Sequence, residues 1–93
     1  MTEPAPVPVE LDPGPEAELS RLERAKQWDL LDAIDTAIAA LSQDPGAPSS
    51  RQRSFAGAGF GITVRTRDDD WLIVWEHDHD VIAVRYVGPD PFA

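Results

Sequence analysis

The chain has 93 residues, no cysteine and a formal net charge of −9. This length fits one small domain, and the lack of cysteine excludes disulfides and thiolate metal sites, which is typical of a reducing cytoplasm. The charge argues against direct nucleic-acid binding, no apolar run approaches the roughly 18 residues of a membrane span, and the acidic, proline-rich start does not resemble a signal peptide.

The first half of the chain predicts one extended segment followed by helices. Residues 1–6 are expected to form a flexible tail, and residues 7–11 alternate apolar side chains with proline or glutamate, which favours an edge strand or an extended arm. Helical periodicity covers residues 15–43 and changes phase near Gln27, where Asp29 is suited to cap a second helix. We expect a helical hairpin, with one bent helix as the alternative.

The second half of the chain predicts a loop and a β-meander. Residues 45–58 are rich in proline, serine, glycine and arginine, as loops often are, and residues 59–88 contain three apolar or alternating runs separated by polar turns. The first half of the chain carries most of the negative charge, so a local basic patch is expected in the second half. Its five basic residues are Arg51, Arg53, Arg65, Arg67 and Arg85.

The two turns predict the register of the meander. A turn at Arg67–Asp70 and a two-residue loop at Asp78–His79 place Leu72 opposite both Arg65 and Arg85. The predicted core face comprises Phe60, Ile62, Val64, Trp71, Ile73, Trp75, Ile82, Val84 and Tyr86. The opposite face comprises Thr63, Val74 and Ala83 in one row and Arg65, Leu72 and Arg85 in the next.

These elements predict an α+β domain over residues 7–88, in the order β-α-α-β-β-β, with a twisted antiparallel sheet packed on a helical hairpin. Residues 89–93 are expected to form a short C-terminal tail. The segments LLDAIDTAIAALSQDPG, RQRSF and WLIVWEHDHDVIAVRYVG, in this order, resemble the RelE/ParE superfamily, the toxins of bacterial type II toxin–antitoxin modules.

The residues of the ribonuclease site that the resemblance implies are only partly present in this chain. In the ribonuclease members, basic residues project from the second and third strands, and further polar residues follow the last strand. The corresponding strand positions here are Gly61, Thr63 and Leu72, and no basic residue follows Gly88. Arg65 and Arg85 are the remaining candidates for catalysis, as clamps for a phosphate.

We therefore expect a toxin-family protein that acts through protein binding. Its partner would be a cognate antitoxin-like protein that covers the open sheet face with an amphipathic helix or an added strand, and its target would be the ribosome or gyrase. The residues predicted to bind the partner are Arg65, Leu72, Val74, Ala83, Arg85, Arg51 and Arg53. One alternative is a ribosome-dependent mRNA endonuclease using Arg65 and Arg85. The other is a non-toxic interaction module or homodimer.

The sequence predicts no metal and no cofactor. Residues 77–80 hold two histidines and two aspartates, and residues 68–70 are three aspartates. These turns lie at opposite ends of one strand, roughly 20 Å apart, so they cannot share one metal ion. The glycines of residues 57–61 precede a strand and are not followed by lysine, unlike a phosphate-binding loop.

Overall fold

The computed structural model describes residues 5–57 and 59–92. Positions 1–4 of the predicted N-terminal tail and position 93 of the predicted C-terminal tail therefore lie outside the described residues. Within the described residues, the elements are β1 (Val9–Leu11), α1 (Pro13–Arg24), α2 (Trp28–Gln43), a 3-10 turn (Pro48–Ser50), β2 (Arg53–Phe55), β3 (Gly59–Arg65), β4 (Asp70–Asp78) and β5 (Val81–Pro89). The predicted α+β class is confirmed. None of the described helices is long and apolar enough to cross a membrane.

Two helices, rather than one bent helix, lie between β1 and the meander. The chain reverses at Lys26, whose φ of 57° lies in the left-handed region, and α2 begins two residues later. Asp29 lies in the first turn of α2, where its charge favours the helix dipole, whereas the N-cap position is held by Gln27 without a side-chain cap. The predicted hairpin is therefore confirmed, and the predicted cap is wrong.

The sheet is mixed, with strand order β1-β5-β4-β3-β2. β1 is an edge strand that runs parallel to β5, with Val9 opposite Ile82. It is tied to α2 because the Val7 N–H donates to the Ser42 carbonyl at 2.9 Å and the Ser42 hydroxyl donates to the Val7 carbonyl at 2.7 Å. β2, which lies in the predicted loop, forms the other edge. The meander is antiparallel as predicted; the sequence left the pairing of the first strand open and did not predict β2.

The first hairpin of the meander is shifted by two residues from the predicted register. Val64 lies opposite Trp71 and Ile62 opposite Ile73, because the loop spans residues 66–69 rather than 67–70. Side chains alternate between faces with a period of two, so this shift leaves every predicted face unchanged.

The second hairpin contains a β-bulge. Its loop is His79–Asp80, and Trp75 lies opposite Val84 whereas Val74 lies opposite Tyr86, so Arg85 is the extra residue. Beyond this bulge the faces of β5 are exchanged relative to the prediction. Tyr86 is exposed, and Val87 takes the predicted place of Tyr86 in the core.

The core lies between the helices and one face of the sheet. The buried apolar residues that form it are Leu22, Ile34, Leu41, Ile62, Val64, Trp71, Ile73, Trp75, Ile82, Val84 and Val87. Apart from Phe60, which is half-buried, and Tyr86, every residue of the predicted core face is a member.

Candidate binding site

The middle of the sheet face opposite the helices, at Leu72 and Ala83, is covered by the chain itself. Leu72 and Ala83 are only 1% and 3% exposed, and Val74 is half-buried. The prediction that Leu72 and Ala83 are open to a partner is therefore wrong for this structure. Their partner-binding role, with that of Val74, stays an untested prediction.

Aromatic side chains form part of this cover. The rings of Phe55 and Phe92 are stacked, with centroids 5.8 Å apart. Gly61 makes room for Phe55, because a Cβ at this position would lie 2.8 Å from Phe55 Cε2 and 3.1 Å from Leu72 Cδ1. Tyr86 lies over Gly88, and its hydroxyl donates to the Pro89 carbonyl at 2.7 Å.

A buried ion pair holds the C-terminal segment over the same face. Arg53 Nη2 lies 2.7 Å from Asp90 Oδ2, and Arg53 Nη1 donates to Asp90 Oδ1 at 3.1 Å. The Asp90 N–H also donates to the Asp70 carbonyl at 2.8 Å. The Arg53 guanidinium, helped by the Phe92 N–H, lowers the pKa of the Asp90 carboxyl below its ordinary value. Asp90 is thus packed against the domain instead of belonging to a free tail, and Arg53 is engaged within the chain.

Arg85 is surrounded by carboxylates. Its guanidinium lies 2.8 Å from Glu76 Oε1, 3.1 Å from Asp12 Oδ1 and 3.7 Å from Asp78 Oδ2. Hydrogen bonding to Glu76 is the main reason that the pKa of Arg85 is raised above its ordinary value. The prediction that Arg85 flanks Leu72 is wrong, because the bulge removes Arg85 from the ladder.

Arg51 lies on the helix side of the sheet. Its guanidinium stands 4.5 Å from the centre of the Phe60 ring, and its Nε donates to the Pro45 carbonyl at 2.9 Å. Beside it, the Trp75 indole donates to the Ser50 carbonyl at 2.7 Å. Arg51 therefore helps to close the core below the 3-10 turn, on the face opposite to the one predicted to bind a partner.

Arg65, one of the predicted binding residues, borders a groove. Two adjoining cavities of about 620 and 490 Å³ share Ala33 and Arg65. The first lies between the α1–α2 junction and the β3–β4 loop, and the second lies between α2 and β3. We call them together the edge groove. Its lining includes Asp29, Asp32, Ala37, Ala40, Thr63 and Arg65.

The edge groove follows a part of β3 that has no strand beside it. β2 pairs with β3 only over residues 59–61, and no described strand pairs with residues 62–65 on that side. The Thr63 N–H instead donates to the side-chain Oε1 of Gln52 at 2.9 Å. This gap has no signal in the sequence, since nothing in the pattern of residues 45–58 indicates a three-residue strand that stops early.

No metal centre is evident in this part of the molecule. Within residues 5–57 and 59–92, no group of three or more histidine or acidic side chains is placed to hold a metal ion. The two histidine- and aspartate-rich turns lie at opposite ends of β4.

Comparisons of the chain with protein-family models, curated proteins and solved structures yield no significant match.

Proposed function

We propose that this chain is a RelE/ParE-like protein of a bacterial type II toxin–antitoxin module and acts in the cytoplasm by binding another protein. The observation that carries the proposal is the edge groove, where a helix wall and an unpartnered stretch of β3 leave room for a segment of a second chain. The order of helices and strands supports the proposed resemblance. The partner would be a cognate antitoxin-like protein.

Ribonuclease activity has less support than protein binding. Arg65 lies opposite Asp70 of β4. Arg85 is the bulged residue of β5 and lies beside Val74 and Trp75 of β4. At about 3.3 Å per residue, the two positions are roughly 15 Å apart along the sheet, too far to hold one phosphate. The positive charge of Arg85 is also paired with three carboxylates of the same chain. A protein target such as gyrase therefore fits the proposal better than ribosome-bound messenger RNA.

Expression of the chain in a bacterial host tests the proposal. Together with the product of any short reading frame beside its gene, the chain should purify as a stable heteromeric complex, and no messenger RNA cleavage should be found by end mapping when the chain is expressed alone. Ala40→Trp, which fills the edge groove, should weaken the complex, whereas Arg85→Gln should leave it intact. Cleavage that disappears with Arg65→Ala would instead establish the endonuclease alternative.

A further inference from the structure

We infer that the edge groove takes an extended, basic segment of a partner protein, which adds to β3 as a strand and places a lysine or arginine against Asp32. This inference rests on the proposed function in one respect, namely that the chain is a protein-binding module. It goes further in naming the conformation of the segment, the position where it binds and its charge.

The hydrogen-bonding pattern of β3 defines the position. In an antiparallel ladder, successive residues point their N–H and C=O groups alternately to the two sides of the strand. Because the Thr63 N–H points away from β4 to Gln52, the Thr63 carbonyl and the Arg65 N–H point to the same outer edge. The Gln52 amide oxygen occupies the place that a main-chain carbonyl of an added strand would take.

The walls of the edge groove leave room for side chains. Ala33, Ala37 and Ala40 are small residues of α2 that line it, and Ile62 and Val64 form its apolar floor. An added strand would direct alternate side chains toward α2, because side chains alternate between the faces of a sheet. The segment is expected to carry small or β-branched apolar residues at these positions.

The charge of the groove selects a basic occupant. α2 holds three aspartates and no lysine or arginine, and two of them, Asp29 and Asp32, line the groove. Arg21, which also lines the groove, forms an ion pair with Glu18, and on the other wall Arg65 and Arg67 are balanced by Asp68 and Asp69. The α2 wall therefore leaves net negative charge. A second copy of this chain fits poorly, because each copy has a net charge of −9 and would bring the same acidic helix.

A random twelve-residue peptide library displayed on phage, selected against the immobilised chain, tests the inference without a natural partner. Selected peptides should alternate apolar residues and contain lysine or arginine. Synthetic copies should bind Asp32→Lys at least tenfold more weakly in fluorescence anisotropy. Asp35→Lys makes the same charge change on an exposed part of α2 outside the groove and should change affinity by less than twofold. Gln52→Ala should bind more tightly, because no side chain has to leave the Thr63 N–H.

Three outcomes would overturn the inference. They are the absence of any enriched peptide, equal binding by the Asp32→Lys and Asp35→Lys variants, and sedimentation of the chain alone as a stable dimer. Each can occur while a heteromeric complex still forms in the bacterial host, so failure of the groove assignment is distinguishable from failure of the toxin–antitoxin assignment.

Discussion

Arg53 and Asp90, which are 37 positions apart in the chain, form an ion pair in which the Asp90 side chain is completely buried. The pair joins β2 to the end of β5 across the sheet face that holds Leu72. It closes that face together with the Phe55–Phe92 stack. The closed face is the reason that binding is assigned to the edge groove.

Replacement of Asp90 by asparagine should lower stability at neutral pH. The pKa of Asp90 is lower in the folded chain than its ordinary value, chiefly because of Arg53. Its contribution is therefore complete above the unfolded pKa of about 3.9 and is lost as the pH falls through the lower folded pKa. Thermal melts followed by circular dichroism should show Asp90→Asn melting below the wild type at pH 7, with the difference shrinking below about pH 4.

Asp80→Asn provides the matched control for that charge change, since Asp80 lies in the exposed β4–β5 loop. Its melting temperature should stay close to that of the wild type. A wild-type advantage over Asp90→Asn that is the same at pH 2 and pH 7 would show that the ion pair does not stabilise the closed face.

Leu72→Ala should destabilise the domain even when no partner is present. Leu72 is 1% exposed, and removal of such a buried leucine side chain typically costs about 2–5 kcal/mol. Val74→Ala, at a half-buried position of the same strand, should cost less. Urea unfolding measures both changes. A loss below about 1 kcal/mol for Leu72→Ala would indicate that this face is open in solution.

Gly59→Ala should be strongly destabilising. Gly59 has a φ of 86°, and a Cβ there would lie 2.1 Å from the Trp75 carbonyl oxygen. The backbone conformation alone costs about 1–3 kcal/mol for a residue with a side chain. Gly14→Ala is the matched control, because nothing lies within 4 Å of its added Cβ and alanine favours the α1 helix. Equal stability of the two variants in urea unfolding would contradict this backbone conformation of Gly59.

Arg85→Glu should lower stability more than Arg85→Gln. The change would place a fourth carboxylate beside Asp12, Glu76 and Asp78, and like charges in close contact repel. Because salt screens exposed charges, the difference between the two variants should shrink from low salt to 1 M salt. Thermal melts at both salt concentrations measure it, and a difference that is insensitive to salt would contradict the carboxylate cluster around Arg85.

The sequence predicted the faces of the meander better than its pairing. Period-two alternation decides which side chains are buried, so the two-residue error between Val64 and Trp71 changed no face. The bulge at Arg85 could not be predicted, because Tyr86 and Val87 are both suited to a core, so the sequence does not decide which of them faces it.

The covered sheet face and the edge groove both depend on contacts between distant segments that have no local sequence signal. The cover over Leu72 needs β2, a three-residue strand in a predicted loop, and Asp90, in a predicted tail. The sequence predicted Arg65 as a binding residue, and this stays a prediction. Its place beside an unpartnered edge became visible only once the end of β2 was known.

Amide hydrogen exchange at Arg65 gives the most direct test of strand addition at β3. In the free chain no described strand covers this N–H, whereas an added strand would accept a hydrogen bond from it. Exchange measured by nuclear magnetic resonance should slow at least tenfold at Arg65 when a selected basic peptide saturates the chain, with little change at the amides of β1 on the other edge. Unchanged exchange at Arg65 in the saturated complex would contradict binding at this edge.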